Sequence, residues 1–236
     1  MQQTLFVWKL KMKASFNIES NGEIRAVEVT LKDLIVAGWA GRDMAAIEHH
    51  IEELAAIGVP RPTSVPLYYR IGANQFTQEE VVQVVGQHSS GEVEALVFEA
   101  DEQLCLSIAF DHTDRKLEAY SVALSKQVCV KPAAKDAWLY DDVKNHIDAL
   151  ILRSWITENG ERKLYQDGLM SSLRTPHNLL EGYEGTFAEG SAMTCGTVGA
   201  IGGIRPSSSF EMELHDPVLK RSLRHSYTVE ILPEVA

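Results

Sequence analysis

Short alternating runs dominate the chain. Residues 14–40 alternate apolar and polar positions in strand-length pieces, broken at the turn Ser20-Asn21-Gly22. One segment keeps a helical period instead. Over 43–57, Met44, Ile47, Ile51 and Leu54 recur at three- and four-residue spacing, with Asp43 placed as N-cap and Gly58-Val59-Pro60 as the stop. The three prolines of 59–66 predict an extended connection, and 67 to about 130 reads mostly as strand. Residues 140–150 read as helical. Residues 151–157 and 161–166 read as a hairpin about the turn Asn159-Gly160. A helical stretch over 169–182 and strands over 191–232 complete the pattern. Few helices among many strands predict an α+β, mainly β fold, and no internal repeat is visible.

Composition narrows the function. At 236 residues, 45% hydrophobic and 23% charged, the chain is an ordinary globular protein of one large domain or two small ones. Its net charge of −11 makes it a poor partner for nucleic acid or an anionic membrane. No apolar run approaches the length of a membrane span, and the apolar patch Leu5 to Trp8 precedes its lysines, the reverse of a secretory leader. The first residues read as an extension, with Met12 as an alternative start. Cys105, Cys129 and Cys195 form no CxxC pair and read as buried, reduced thiols of a cytoplasmic protein.

Candidate chemistry begins with an acidic hairpin. If strands 92–99 and 104–110 turn at Asp101-Glu102, facing residues have numbers summing to 203. Glu92 then faces Asp111, and Glu94 shares their face. Three carboxylates so close are a solvated acidic face or a site for a hard divalent cation. Zinc through the flanking His88 and His112 is a lesser reading, because carboxylates outnumber imidazoles there. Cys129 has no visible activating group, and the glycines of 196–203 follow neither dinucleotide-binding nor P-loop spacing.

The helix 43–57 offers a general base. His50 falls beside its apolar face with Glu53 on the outer side, whereas His49 falls almost opposite the core. His50 oriented by Glu53 is the catalytic pair, and a boundary histidine beside a solvated acid is the plainer alternative.

Beyond the hairpin come Asp111-His112-Thr113-Asp114-Arg115, Lys126, the Glu158-Asn159-Gly160-Glu161 hairpin, Gln166 and Gly196-Thr197-Val198-Gly199-Ala200. This order resembles the fumarylacetoacetate hydrolase superfamily. That family shows a Glu-x-Glu strand, an Asp-x-(Thr/Ser)-x-Arg segment, a lysine, a glutamine after an Asn-Gly hairpin, and a Gly-Thr-rich loop. The segment Pro66-Leu67-Tyr68-Tyr69-Arg70 and the His-x-x-Glu helix, where His50 and Glu53 align, extend the resemblance over roughly 30–232. The chain is read as an uncharacterised bacterial branch, and the departures at Arg70, Glu118 and Val198 leave the substrate's identity open while keeping the three carboxylates.

The resemblance implies a mixed β-roll or barrel with few helices. An N-terminal extension (1–13) and a small region carrying the helix (14–66) would precede a catalytic β domain (67–236). It implies Glu92, Glu94 and Asp111 as ligands of Mg2+ or Mn2+, with Ca2+ as an alternative. Lys126 and Arg115 would be catalytic, and Thr197, Gly196, Arg70 and Gln166 would bind substrate. The substrate would be a small 2-oxo acid, reacting through a metal-stabilised enolate. C–C hydrolysis of an acylpyruvate-like compound comes first, with decarboxylase, hydratase or isomerase chemistry, or a non-catalytic binder of metal or small acids, as alternatives. Homodimerisation is also implied.

Overall fold

The computed structural model describes residues 12–56 and 61–235, without the side chains of His50 and Leu54. The chain opens with strands β1 (Met12–Ser20), β2 (Glu23–Leu31) and β3 (Asp33–Gly38), followed by helix α1 (Met44–Ala56). Asp43 caps α1 as its sequence position predicts, with its carboxylate accepting from the Ala45 and Ala46 amides at 3.0 and 3.1 Å. Ile47 and Ile51 are buried, but Met44 at the head of the same stripe is half exposed.

Next come β4 (Leu67–Ile71), β5 (Phe76–Thr77), β6 (Val81–Val85), β7 (Ser89–Ala100) and β8 (Gln103–Asp114). Two short helices, α2 (Arg115–Glu118) and α3 (Val122–Gln127), interrupt what reads in sequence as strand. Each is started by a polar side chain: Asp114 accepts from Leu117 N at 2.8 Å, and Ser121 accepts from Leu124 N at 3.3 Å. The chain continues through β9 (Lys131–Pro132), β10 (Asp136–Leu139), α4 (Tyr140–Val143), β11 (Ile151–Glu158) and β12 (Glu161–Leu169). The segment 169–182 is not one helix. A 3-10 turn over Met170–Ser172 gives way to extended Leu173, and α5 (Pro176–Gly182) starts on the Thr175 cap with proline at its first turn. Strands β13 (Ser191–Thr197), β14 (Ser209–Asp216) and β15 (Arg221–Leu232) end the fold.

Eight strands form one sheet in the order β2-β1-β10-β8-β7-β13-β3-β4, and five form another in the order β12-β11-β14-β15-β6. The first sheet curls on itself. Phe16 of β1 stacks on Phe98 of β7 at 3.8 Å although two strands separate them in the sheet. One face of this roll encloses Phe16, Leu34, Val36, Leu96, Phe98 and Ala109. The other face packs Val93, Val97, Ile108 and Phe110 against Phe210, Leu214 and Tyr227 of the second sheet. The mainly β, α+β class and the roll predicted above are what the chain adopts. Among the described residues no helix is long and apolar enough to cross a membrane.

The hairpin that matters turns at Asp101-Glu102, and both residues sit in the left-handed region with φ of 49° and 61°. The same turn is made by Asn21-Gly22 and Asn159-Gly160, residues that adopt it at little cost. Glu102 carries a side chain that this backbone disfavours. Glu102→Gly should therefore stabilise the protein by about 1 kcal/mol in urea unfolding. An unchanged midpoint would contradict that reading.

Candidate active site

The hairpin register places Glu92 opposite Asp111 and Glu94 opposite Ala109. Strand alternation then puts Glu92, Glu94 and Asp111 on the face that lines the roll interior, beyond Leu96 and Ala109. The three are not left to solvent: Asp111 and Glu94 are buried, and the Glu92 side chain is 15% exposed.

Each acid is met by a donor. Helix α3 carries Lys126, whose ammonium pairs with Asp111 Oδ2 and lies 3.3 Å from Thr113 Oγ1. Lys131 approaches Asp111 Oδ1 at 3.3 Å from the other side. Arg115 pairs with Glu92 at 2.9 Å and with Glu118 at 3.1 Å, and its Nε donates to Ser90 Oγ at 2.7 Å. The Gly196 amide donates to Glu94 Oε2 at 2.8 Å. Gly196 has φ of +83° and faces Ala40 so closely that a Cβ would come within 2.5 Å of the alanine methyl. Only glycine lets that amide turn to the carboxylate.

The environment splits the acids. Burial and the neighbouring Asp111 carboxylate push Glu94 up to about 8. Burial would also raise Asp111, but Lys126 and Lys131 outweigh it and hold the carboxyl below its ordinary range. Burial would lower Lys126, yet Asp111 raises it, so the pair stays charged. Lys131 is pulled down, chiefly by burial.

Other expected residues fall elsewhere. Arg70 leaves the site: on β4 its neighbour Tyr69 lies near Lys126, with the ammonium 5.7 Å from the ring centroid, so alternation turns Arg70 to the opposite face. There it pairs with Asp33 and donates to the Tyr183 hydroxyl at 2.9 Å. Gln166 is fully engaged. Its oxygen accepts from Val93 N at 2.9 Å and Ser154 Oγ at 2.8 Å, and its amide donates to Thr197 Oγ1 and Val198 O at 2.7 Å each. With all four valences used, it clamps the two sheets together. Thr197 likewise donates its hydroxyl to Val93 O at 2.7 Å, a bond between neighbouring strands.

His112 occupies the other face of β8. Its ring is buried, bonded to Ser89 Oγ at 2.9 Å and Tyr227 Oη at 2.5 Å, and burial lowers it to about 3. It is a neutral strut between sheets, turned away from the carboxylates. Cys129 is buried with its thiol pushed up by burial, which removes it as a nucleophile. His49 is 74% exposed, as the helical wheel places it, and its Nε2 lies 3.4 Å from Glu53, which is 60% exposed. The side chain of His50 lies outside the described residues.

Sequence reading passed over Lys131. Its ammonium is completely buried and donates to the carbonyls of Lys126, His112 and Cys129 at 2.7–3.0 Å. A lone lysine inside the apolar run Val128 to Ala134 was the available signal.

In chemistry the acidic set fits a hard divalent ion. The three donors are carboxylates on one face, and Asp111 Oδ1 is a buried oxygen with no hydrogen bond. Their present side-chain arrangement is directed at the cations: among the described residues no three acidic, histidine or cysteine groups are gathered to hold a metal.

The geometry has counterparts. The model of the DUF2848 family, described as a protein of unknown function, matches residues 37–227, and this chain belongs to that family. No curated protein matches the sequence. The fold is that of the fumarylacetoacetate hydrolase family. A structure described as a fumarylacetoacetate isomerase/hydrolase from Oleispira antarctica superposes with a TM-score of 0.64 at 15% identity, covering 92% of this chain and 100% of that one. One described as a fumarylpyruvate hydrolase from Burkholderia cenocepacia gives 0.61 at 13%, covering 97% and 99%. A 2-keto-3-deoxy-D-arabinonate dehydratase complexed with magnesium and 2,5-dioxopentanoate gives 0.61 at 13%, covering 91% and 86%.

Proposed function

We propose that this protein is a divalent-metal-dependent enzyme that acts on a small 2-oxo acid, cleaving a C–C bond of an acylpyruvate-like substrate. The observation that carries the proposal is a buried ammonium, Lys126, paired with Asp111 on the strand face that also carries Glu92 and Glu94, inside a roll of this fold. Glu92, Glu94 and Asp111 would hold Mg2+ or Mn2+, which supplies Lewis-acid polarisation of the 2-oxo group.

The remaining work falls to the chain. Lys126 stays protonated and places positive charge where the substrate gains negative charge as the bond breaks. Arg115 keeps Glu92 in position through their ion pair, with Glu118 and Ser90 fixing the guanidinium. The Gly196 amide orients Glu94. His50 and Glu53, on the capped helix α1, are the candidates for moving the proton. Dehydration is the second reading, favoured by the dehydratase that shares the fold and binds magnesium with a dioxo acid.

Calorimetry with Mg2+ and Mn2+, joined to a panel of acylpyruvates assayed for pyruvate release, tests the proposal. The expected result is one ion per chain and turnover that falls at least about 10²-fold in Lys126→Met. No binding at millimolar metal together with no turnover would overturn it.

A further inference from the structure

A concavity of about 360 Å3 opens between the segment entering α1, the 3-10 turn Lys144–Ala149 and the start of α5. Arg42, Asp148, Arg174, Thr175 and Asn178 line it. It is distinct from the carboxylate cluster. Its neighbours Ala40 and Leu173 belong to the core between the sheets, whereas the carboxylates face the roll interior.

The two arginines differ. Arg42 is committed to Asp148, with Nη1 donating to Oδ2 at 2.9 Å, Nη2 pairing with Oδ1, and Nε donating to the Leu173 carbonyl. Arg174 is not so matched. Its Nε is buried without a hydrogen bond, Nη1 reaches Asn178 Oδ1 only at 3.4 Å, and Nη2 reaches Met44 Sδ at 3.5 Å. Among the described residues, none of its hydrogen bonds goes to an anion. Its backbone is fixed nonetheless, since Arg174 N donates to Ala40 O at 2.7 Å.

A guanidinium is the side chain whose fork matches a two-oxygen anion, and here Nη1 and Nη2 make only contacts of 3.4 and 3.5 Å to neutral partners. The lining carries two positive charges and one negative, a local excess of +1 on a chain of net −11. The volume is at the small end of ligand pockets, which run from about 300 to 1,000 Å3. We propose that this concavity binds a small oxyanion, the carboxylate or phosphate group of a small molecule, through Nη1 and Nη2 of Arg174. The inference is independent of the reaction proposed above.

Calorimetry and thermal unfolding of the full chain with sodium phosphate and with sodium malonate test it, against sodium chloride at matched ionic strength. The expected result is saturable one-to-one binding, with Tm raised by several degrees at about a hundredfold excess over Kd and no such rise in chloride. The tighter of the two probes identifies the source of the oxyanion. Arg174→Gln should abolish the binding. Arg174→Lys keeps the charge but loses the fork, so it should weaken binding at least about tenfold, and it carries the test should the glutamine variant not fold. Absence of saturable binding of both anions below about 10 mM would overturn the proposal. So would an equal effect of chloride, or binding retained in Arg174→Gln.

Discussion

Asp111→Ala should destabilise the protein by about 3–5 kcal/mol in urea unfolding at neutral pH, and should also abolish divalent-metal binding. The reason is the company Asp111 keeps. Its carboxylate is 2% exposed and faces two buried ammonium groups, Lys126 and Lys131. Removing the acid leaves both charges in the protein interior without their common anion. Against a total stability of about 5–15 kcal/mol, that loss leaves a marginal fold. Asp111→Asn should cost nearly as much, because charge rather than volume is lost. Glu92→Gln should cost far less, since the Glu92 side chain is partly exposed and Arg115 retains Glu118. Lys126→Met is intermediate, because Lys131 still faces Asp111. A loss below about 1 kcal/mol for Asp111→Ala would mean that the lysines are not held by this carboxylate.

Much of this cluster is legible in the sequence. A two-residue turn and the period of two fix the pairing of Glu92 with Asp111, and the facing residues do sum to 203. The Asp43 cap and the Asn-Gly turns are equally local signals, and the fold forms both. Burial was harder to read. An acidic strand face looks solvated until the lysines that cover it are known, and Lys131 reaches Asp111 through tertiary packing alone. Arg70 shows how little separates a site from its reverse face, since one residue along β4 exchanges it for Tyr69. Gln166 and Thr197 carry the right side chains for binding a carboxylate, but only the folded sheets reveal that their hydrogen bonds are already made. Helices α2 and α3, of four and six residues, are too short for periodicity to register, and their caps Asp114 and Ser121 become visible only in the fold.

Glu94 predicts how the protein responds to pH. Its carboxyl stands near 8 when folded, against an ordinary value of 4.5. Between these values the folded chain holds a proton that the unfolded chain has released, so this group's contribution to stability falls as pH rises through the window and levels off above about 8. The integrated effect is roughly 5 kcal/mol. Asp111 acts in the opposite sense and at lower pH, because its depressed carboxyl loses stability only as pH falls below the ordinary aspartate range. His112 and His225, held neutral by burial, act against Glu94 up to the ordinary histidine value of 6.5, so the fall between about pH 6.5 and 8 belongs to Glu94, and Glu94→Gln should remove it in urea titrations at fixed ionic strength. Saturating Mg2+ should oppose the same slope, because a bound cation takes the place of the proton and its affinity rises as Glu94 ionises. Calorimetry at pH 6 and pH 8 should thus show tighter metal binding at the higher pH, with protons released on binding at the lower one. A wild-type slope that persists unchanged in Glu94→Gln would place the titrating group elsewhere. Metal affinity independent of pH would remove Glu94 from the ligand set.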